Sequence, residues 1–166
     1  MLKLLLIFSL ISCSLYARPQ SGTTTGEAVA IRSLGIKLAP PKGMKIILAG
    51  ETEAVNYHFP WFQGESGIIN IATIPNTKED EDLTKAFTNH SSQMKGAIKF
   101  TGYTKAIDLP SGIPAIEAHF LGKDETRIKR LYFKNSSGSP CYIHLIPTKR
   151  DLQLITSITT SLSLIN

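Results

Sequence analysis

The sequence predicts a single α+β domain in which two helices pack on an antiparallel sheet of six or seven strands. Short segments with strand-type alternation, separated by turns that contain proline or glycine, make up most of the chain after residue 28. Two other segments repeat apolar residues every three or four positions, as amphipathic helices do. One helix is expected between the fourth and fifth strands, and the other at the end of the chain.

The first 17 residues have the pattern of a secretory signal. Lys3 gives a positive start, an apolar run from Leu4 to Ile11 follows, and small polar residues end it. The run is too short to span a bilayer, which takes about 20 apolar residues. We therefore expect the protein to be exported.

Two interpretations of the processing site stay open. Cleavage after Ala17 makes residues 1–17 the signal peptide and leaves the protein free in the periplasm or the medium. Alternatively, Leu10–Cys13 (LISC) resembles the lipobox of bacterial lipoproteins, in which case residues 1–12 are removed and Cys13 is lipidated. Acyl chains then hold the protein on a membrane, since each buried methylene contributes about 0.8 kcal/mol.

Residues 18–28 are predicted to be a flexible tether, and residues 29–166 the folded domain. The tether is rich in glycine, serine and threonine and shows no apolar periodicity.

The first half of the domain is predicted to hold four strands and a helix. The strands are Leu34–Leu38, Met44–Ala49, Glu53–Phe59 and Gly67–Ile74, with Pro60–Ser66 as a hairpin loop. The helix starts near Glu79, capped by Asn76 or Thr77, and ends at Lys95–Gly96. Its first turn is expected to contain the acids of residues 79–82, which complement the helix dipole. Its apolar stripe, expected to face the sheet, includes Leu83, Phe87 and Met94.

The second half of the domain is predicted to hold further strands and the closing helix. The strands are Ile98–Leu109, bulged at Gly102, then Ile113–Leu121, Thr126–Lys134 and Pro140–Ile146. The final helix begins near Asp151, and its buried face is expected to consist of Leu152, Ile155, Ile158 and Leu162.

Charge and cysteine content limit the classes of partner. The chain has 18 basic and 13 acidic residues, and its one basic run, residues 127–130, is predicted to be a solvated face. Nucleic-acid binders carry a basic stripe with a recognisable motif, so no nucleic-acid partner is expected. Only Cys141 follows Cys13, which excludes an internal disulfide in the domain. An apolar strand surrounds Cys141, so we expect a buried, unreactive thiol.

The order of elements and three short segments resemble the PsbP-like families. The segments are Gly35–Met44 (GIKLAPPKGM), Gly138–Leu145 (GSPCYIHL) and Thr156–Leu162 (TSITTSL). These families include the extrinsic photosystem II protein, Mog-type Ran-binding proteins and bacterial lipoproteins of unknown role. The resemblance implies the fold, without catalytic residues, because the families have several unrelated functions.

Histidines on predicted strands are the candidates for a metal site. His58, His119 and His144 each lie on a strand, and Glu117 shares a face with His119. Two imidazoles and a carboxylate on neighbouring strands could bind a zinc-type ion. The alternative is that each histidine is an ordinary packed or surface residue.

An aromatic cluster is the candidate binding surface. Tyr57, Phe59, Trp61 and Phe62 lie where a predicted strand runs into a loop. Aromatic residues at loop tips are enriched in interfaces and ligand pockets. The alternative is that Trp61 and Phe62 fold back over the end of the core.

These observations predict an exported, non-enzymatic accessory or binding protein with a protein partner at or near the membrane and no cofactor. No metalloprotease, phosphate-binding or dinucleotide motif is present in the sequence. A periplasmic carrier of a small apolar ligand or metal is the alternative, and a hydrolase the third. A pocket with converging polar groups would favour the carrier, and a flat surface with an aromatic patch the accessory role.

Overall fold

The computed structural model describes residues 25–47, 61–94, 96, 98–148 and 152–165. The predicted signal segment, most of the tether and the predicted strand at 53–59 lie outside these residues. In the described part of the chain, no helix has the length and hydrophobicity needed to cross a membrane.

The α+β class is confirmed: in the residues that the structure describes, two α-helices accompany two antiparallel sheets. In chain order the elements are β1 (Val29–Ile31), a 3-10 turn (Arg32–Leu34), β2 (Ile36–Leu38), β3 (Lys45–Ile47), β4 (Trp61–Gly64), β5 (Gly67–Thr73), α1 (Leu83–Gln93), β6 (Ile98–Asp108), β7 (Pro114–Gly122), β8 (Arg127–Lys134), β9 (Pro140–Pro147), α2 (Leu152–Ser161) and β10 (Ser163–Leu164). The large sheet has the order β3-β4-β5-β9-β8-β7-β6, and the small one β1-β2-β10.

The start of α1 differs from the prediction by about one turn. Asn76 and Asp80 have φ angles of 59° and 60°, so the chain turns twice before the helix can begin. Asp82 is the N-cap, and its Oδ1 accepts a hydrogen bond from the Lys85 amide at 2.8 Å. The acids of residues 79–82 therefore precede the first turn instead of lying within it.

The predicted contact of α1 with the sheet is confirmed. Ala86 and Phe87 are buried, and Leu83 and Met94 pack beside them on one face of the large sheet. This face has its own core, which includes Phe100, Phe120 and Tyr132.

The other face of the large sheet is covered by α2 and the small sheet. Among the described side chains of α2, Leu154, Ser157 and Ile158 are buried, and so is Leu162 directly after the helix. Ile158 and Leu162 are thus buried as predicted, the predicted Ile155 is partly buried against the same core, and the side chain of Leu152 lies outside the described residues. Two serines decide this orientation: Ser157 Oγ donates to the Ala39 carbonyl at 2.7 Å, and Ser161 Oγ accepts from the Ala39 amide at 2.8 Å.

A short strand occupies part of the predicted loop at 60–66. In β4, Phe62 lies opposite Ile69 of β5, and its side chain is fully buried. The chain turns at residues 65–66 and enters β5 at Gly67, whose φ is 133°. A Cβ atom there would lie 2.1 Å from the Ile146 carbonyl oxygen, so only glycine fits.

Cys141 lies in the core beneath α2, with no exposed surface. Burial raises the pKa of its thiol to about 12, so the thiolate that reacts with alkylating reagents is scarce. We expect iodoacetamide to label Cys141 in the native protein at least a hundredfold more slowly than in urea. Mass spectrometry of timed samples measures both rates, and equal rates would contradict the packing described here.

Candidate functional site

A cluster of charged and aromatic side chains lies on three neighbouring strands, β6, β7 and β8. At its centre, Glu117 Oε1 contacts Lys129 Nζ at 2.8 Å and His119 Nε2 at 2.9 Å. Burial alone would raise the pKa of Glu117, but the hydrogen bonds from Lys129 and His119 lower it below its usual value. Glu117 is therefore an ionised carboxylate that holds two side chains in place.

The Tyr103 ring covers His119. The two rings stack with centroids 4.2 Å apart, and Tyr103 remains 43% exposed. Tyr103 lies in a bulge of β6 between Phe100 and Thr104, where Gly102 takes a φ of 85°. The bulge allows the Tyr103 ring to reach His119. Thr101 Oγ1 fixes the bulge by donating to the His119 carbonyl at 2.9 Å.

Four cations surround this centre. Lys105 lies opposite Glu117, and Lys99 opposite Leu121, in the β6–β7 register. Arg127 of β8 pairs with Leu121 of β7. It lies on the same face as Lys129, which is two residues further along β8. We name this surface the basic face, formed by Lys99, Tyr103, Lys105, Glu117, His119, Leu121, Arg127 and Lys129.

The opposite face of the same strands holds a buried cation under α1. Arg130 is 4% exposed, and its guanidinium carbon lies 4.9 Å from the ring centroids of both Phe120 and Tyr142. Its Nε donates to His144 Nδ1 at 3.2 Å, and Nη1 contacts Met94 Sδ at 2.8 Å. In the described ranges, no carboxylate lies within ion-pair distance of Arg130.

Two histidines beside Arg130 are held neutral. Burial, Arg130 and His90 together lower the pKa of His144 to about 3. Burial and Arg130 lower the pKa of His90 to about 4. Since His144 Nδ1 accepts from Arg130, the ring proton is on Nε2. Within the described residues, His144 Nε2 and His90 Nδ1 are buried without a hydrogen-bond partner.

The structure does not bring the predicted metal ligands together. Glu117 and His119 lie on the basic face, whereas His144 pairs with Arg130 and lies on the opposite face. His58 lies outside the described residues. Where the structure describes the chain, no group of three His, Cys, Asp or Glu side chains is placed to hold a metal ion. Glu117 and His119 instead bind each other and Lys129.

The predicted aromatic binding cluster is only partly described. Phe62 is a core residue, enclosed between the large sheet and α2, and does not belong to an exposed surface. Trp61 lies in β4, and Tyr57, Phe59 and the lipidation candidate Cys13 fall outside the described residues.

Sequence reasoning missed most of the basic face. Its four cations come from two segments, residues 99–105 and 127–129, which are distant in the chain. The available signals were the i, i+2 spacing of Arg127 and Lys129, which puts both on one face, and an aromatic residue beside the bulge glycine.

A comparison with solved structures found a match to the fold. The solution structure of cyanobacterial PsbP (CyanoP) from Synechocystis sp. PCC 6803 superposes with a TM-score of 0.54 and 15% sequence identity. The match covers 90% of this chain and 98% of that one. No protein-family model and no curated protein matches the sequence. The likeness shows a PsbP-like fold.

Proposed function

We propose that this chain, which has a PsbP-like fold, is an exported, non-enzymatic accessory protein that binds an acidic surface of a partner protein through its basic face. The observation that carries the proposal is the convergence of four cations and two exposed apolar side chains on one sheet face.

Charge favours an acidic partner. Lys99, Lys105 and Arg127 are exposed, and Glu117 is the one carboxylate among them, already neutralised by Lys129. A surface of one sign raises the rate of encounter with a surface of the opposite sign and disfavours basic partners.

Exposed apolar groups favour a protein over a lipid surface as partner. Tyr103 and Leu121 are two of the three large hydrophobic side chains exposed in the described residues. Tyrosine and arginine are enriched at the energetic centres of protein interfaces. The Tyr103 ring is already fixed on His119, so binding would immobilise little further side-chain freedom.

The arrangement of potential nucleophiles supports a non-enzymatic role. Among the described residues, no histidine is hydrogen-bonded to a serine, threonine or cysteine side chain. A serine, threonine or cysteine nucleophile is commonly activated by such a histidine, or a cysteine by a lowered pKa, whereas the Cys141 pKa is raised.

A charge-reversal experiment tests the proposal. In one variant Lys99, Lys105 and Arg127 become glutamate, and in the matched control Arg32, Lys37 and Lys42 do; all six are exposed. We expect sedimentation with the envelope fraction of the producing cell to fall more than tenfold for the first variant only. A photo-crosslinking residue at position 103 should capture a partner protein in the wild type and lose it in that variant.

Two outcomes would contradict the proposal. Equal losses in the two triple variants would show that binding follows net charge and not the basic face. Binding to protein-free vesicles of anionic lipid as strong as binding to the envelope fraction would identify a lipid partner. Binding to the protein partner should weaken as salt rises through the physiological range.

A further inference from the structure

An apolar groove lies at the opposite end of the sheet from the Gly102 bulge. One cavity of about 590 Å³ is lined by Leu83, Ile113, Pro114 and Leu164, with Asp82 and Lys134 at its margin. A second cavity of about 350 Å³ adjoins it, because Leu83 and Pro114 line both. Small-molecule sites have volumes of about 300–1,000 Å³. The two cavities form an elongated groove between the start of α1 and the β6–β7 turn.

The unpaired charges at the groove are negative. Asp82 lines the larger cavity and Asp108 the smaller one, and both are exposed. Neither has an ion-pair partner in the part of the chain that the structure describes. Among the described residues that line the groove, the one cation is Lys134, which already lies 4.0 Å from Asp80. The groove therefore combines apolar lining residues with two exposed carboxylates that form no ion pair within the described residues.

The N-terminus of α1 does not make the groove attractive to anions. A free helix N-terminus attracts anions through its exposed amides. At α1, however, the Asp82 carboxylate occupies that position by accepting from the Lys85 amide. An anionic ligand would therefore approach Asp82 and Asp108 before it met an unpaired donor.

We propose that this groove binds an elongated amphipathic cation, a small molecule with an apolar body and one positively charged group. The apolar body lies along Leu83 and Pro114, which line both cavities, and along Ile116, which lines the smaller one. The positive group lies near Asp82 or Asp108. This site is independent of the basic face, and it would give the protein a second, ligand-responsive surface.

Three probes of equal chain length test the proposal: hexyltrimethylammonium, hexanol and hexanoate. Chemical-shift changes in ¹⁵N spectra of the complete mature domain report both affinity and location. We expect the ammonium compound to bind at least fivefold more tightly than hexanoate, with hexanol between them. The shifts should be centred on Leu83, Gly112 and Ile116.

A charge variant separates recognition from folding. Asp82→Asn keeps the helix cap, because asparagine also accepts from the helix amides. Combined with Asp108→Asn, it should weaken ammonium binding about three- to tenfold and leave hexanol binding unchanged. Asp124→Asn, on an exposed turn outside the groove, is the matched control.

Three results would overturn the proposal: equal affinity for hexanoate, equal weakening by the control, or shifts centred elsewhere. The groove experiment and the basic-face experiment can fail independently of each other, because they share neither residues nor ligand.

Discussion

Lowering the pH from 7 to 4.5 is expected to remove roughly 2–3 kcal/mol of the free energy of unfolding through His144 alone. The folded-state pKa of His144 is about 3, below the ordinary value of 6.5. Between these two values the unfolded chain binds a proton at this position and the folded chain does not. Stability is therefore complete above about pH 6.5 and falls as the pH decreases towards 3.

His90 contributes in the same direction, because its pKa is lowered to about 4. Its share is smaller, since it is only partly buried. Glu117 has a lowered pKa, so the stability it contributes is lost mainly below about pH 4.5, outside this window.

Urea denaturation at pH steps from 7.5 to 4.5 measures this effect. His144→Asn keeps an acceptor for Arg130 but does not titrate, so its stability should depend much less on pH. Thr88→Ala, on the exposed side of α1, removes no titratable group and is the control, so it should retain the wild-type slope. Identical slopes for wild type and His144→Asn would show that His144 binds its proton equally in the folded and unfolded protein.

Replacing Phe87 with alanine is expected to lower the free energy of unfolding by about 3–5 kcal/mol. Phe87 is 8% exposed, and its ring packs edge-on against Phe100 at 5.7 Å and Tyr132 at 5.0 Å. Truncation removes these contacts and leaves a cavity between α1 and the sheet. A single domain of this size has a total stability of about 5–15 kcal/mol, so the loss is a large fraction.

Thr88→Ala, at the next and exposed position of α1, is the matched control for Phe87→Ala. It should change stability by no more than about 0.5 kcal/mol. Chemical denaturation followed by far-UV circular dichroism gives both values. A loss for Phe87→Ala as small as the control would mean that α1 is not anchored by this ring.

Local patterns were sufficient to predict most elements, but not the start of α1 or the strand β10. The strands β7, β8 and β9 follow apolar patterning bounded by turn residues, and their predicted ranges differ from the observed ones by one residue or less at each end. The start of α1 was misplaced because the left-handed residues Asn76 and Asp80 are not distinguishable from helix residues by hydrophobicity. The two-residue strand β10 has no sequence pattern at all.

The sites depended on tertiary contacts that a single sequence does not contain. The basic run 127–130 was predicted to be wholly solvated, yet Arg130 is buried. Alternation places Arg130 on the face of Ile128 and Tyr132, so the burial could have been foreseen. The pairing of Glu117 with Lys129 depends on strand register, and the Tyr103–His119 stack on a bulge.

The small sheet has a consequence for the order in which the protein folds. β2 pairs with β1 near the start of the domain and with β10 at its end, and the Ile165 amide donates to the Gly35 carbonyl at 2.8 Å. This closure cannot form while β10 is still enclosed in the ribosome. Contacts between such distant segments also slow folding. The domain should therefore complete its fold only after β10 has emerged, and a chain truncated before Leu162 should stay sensitive to protease.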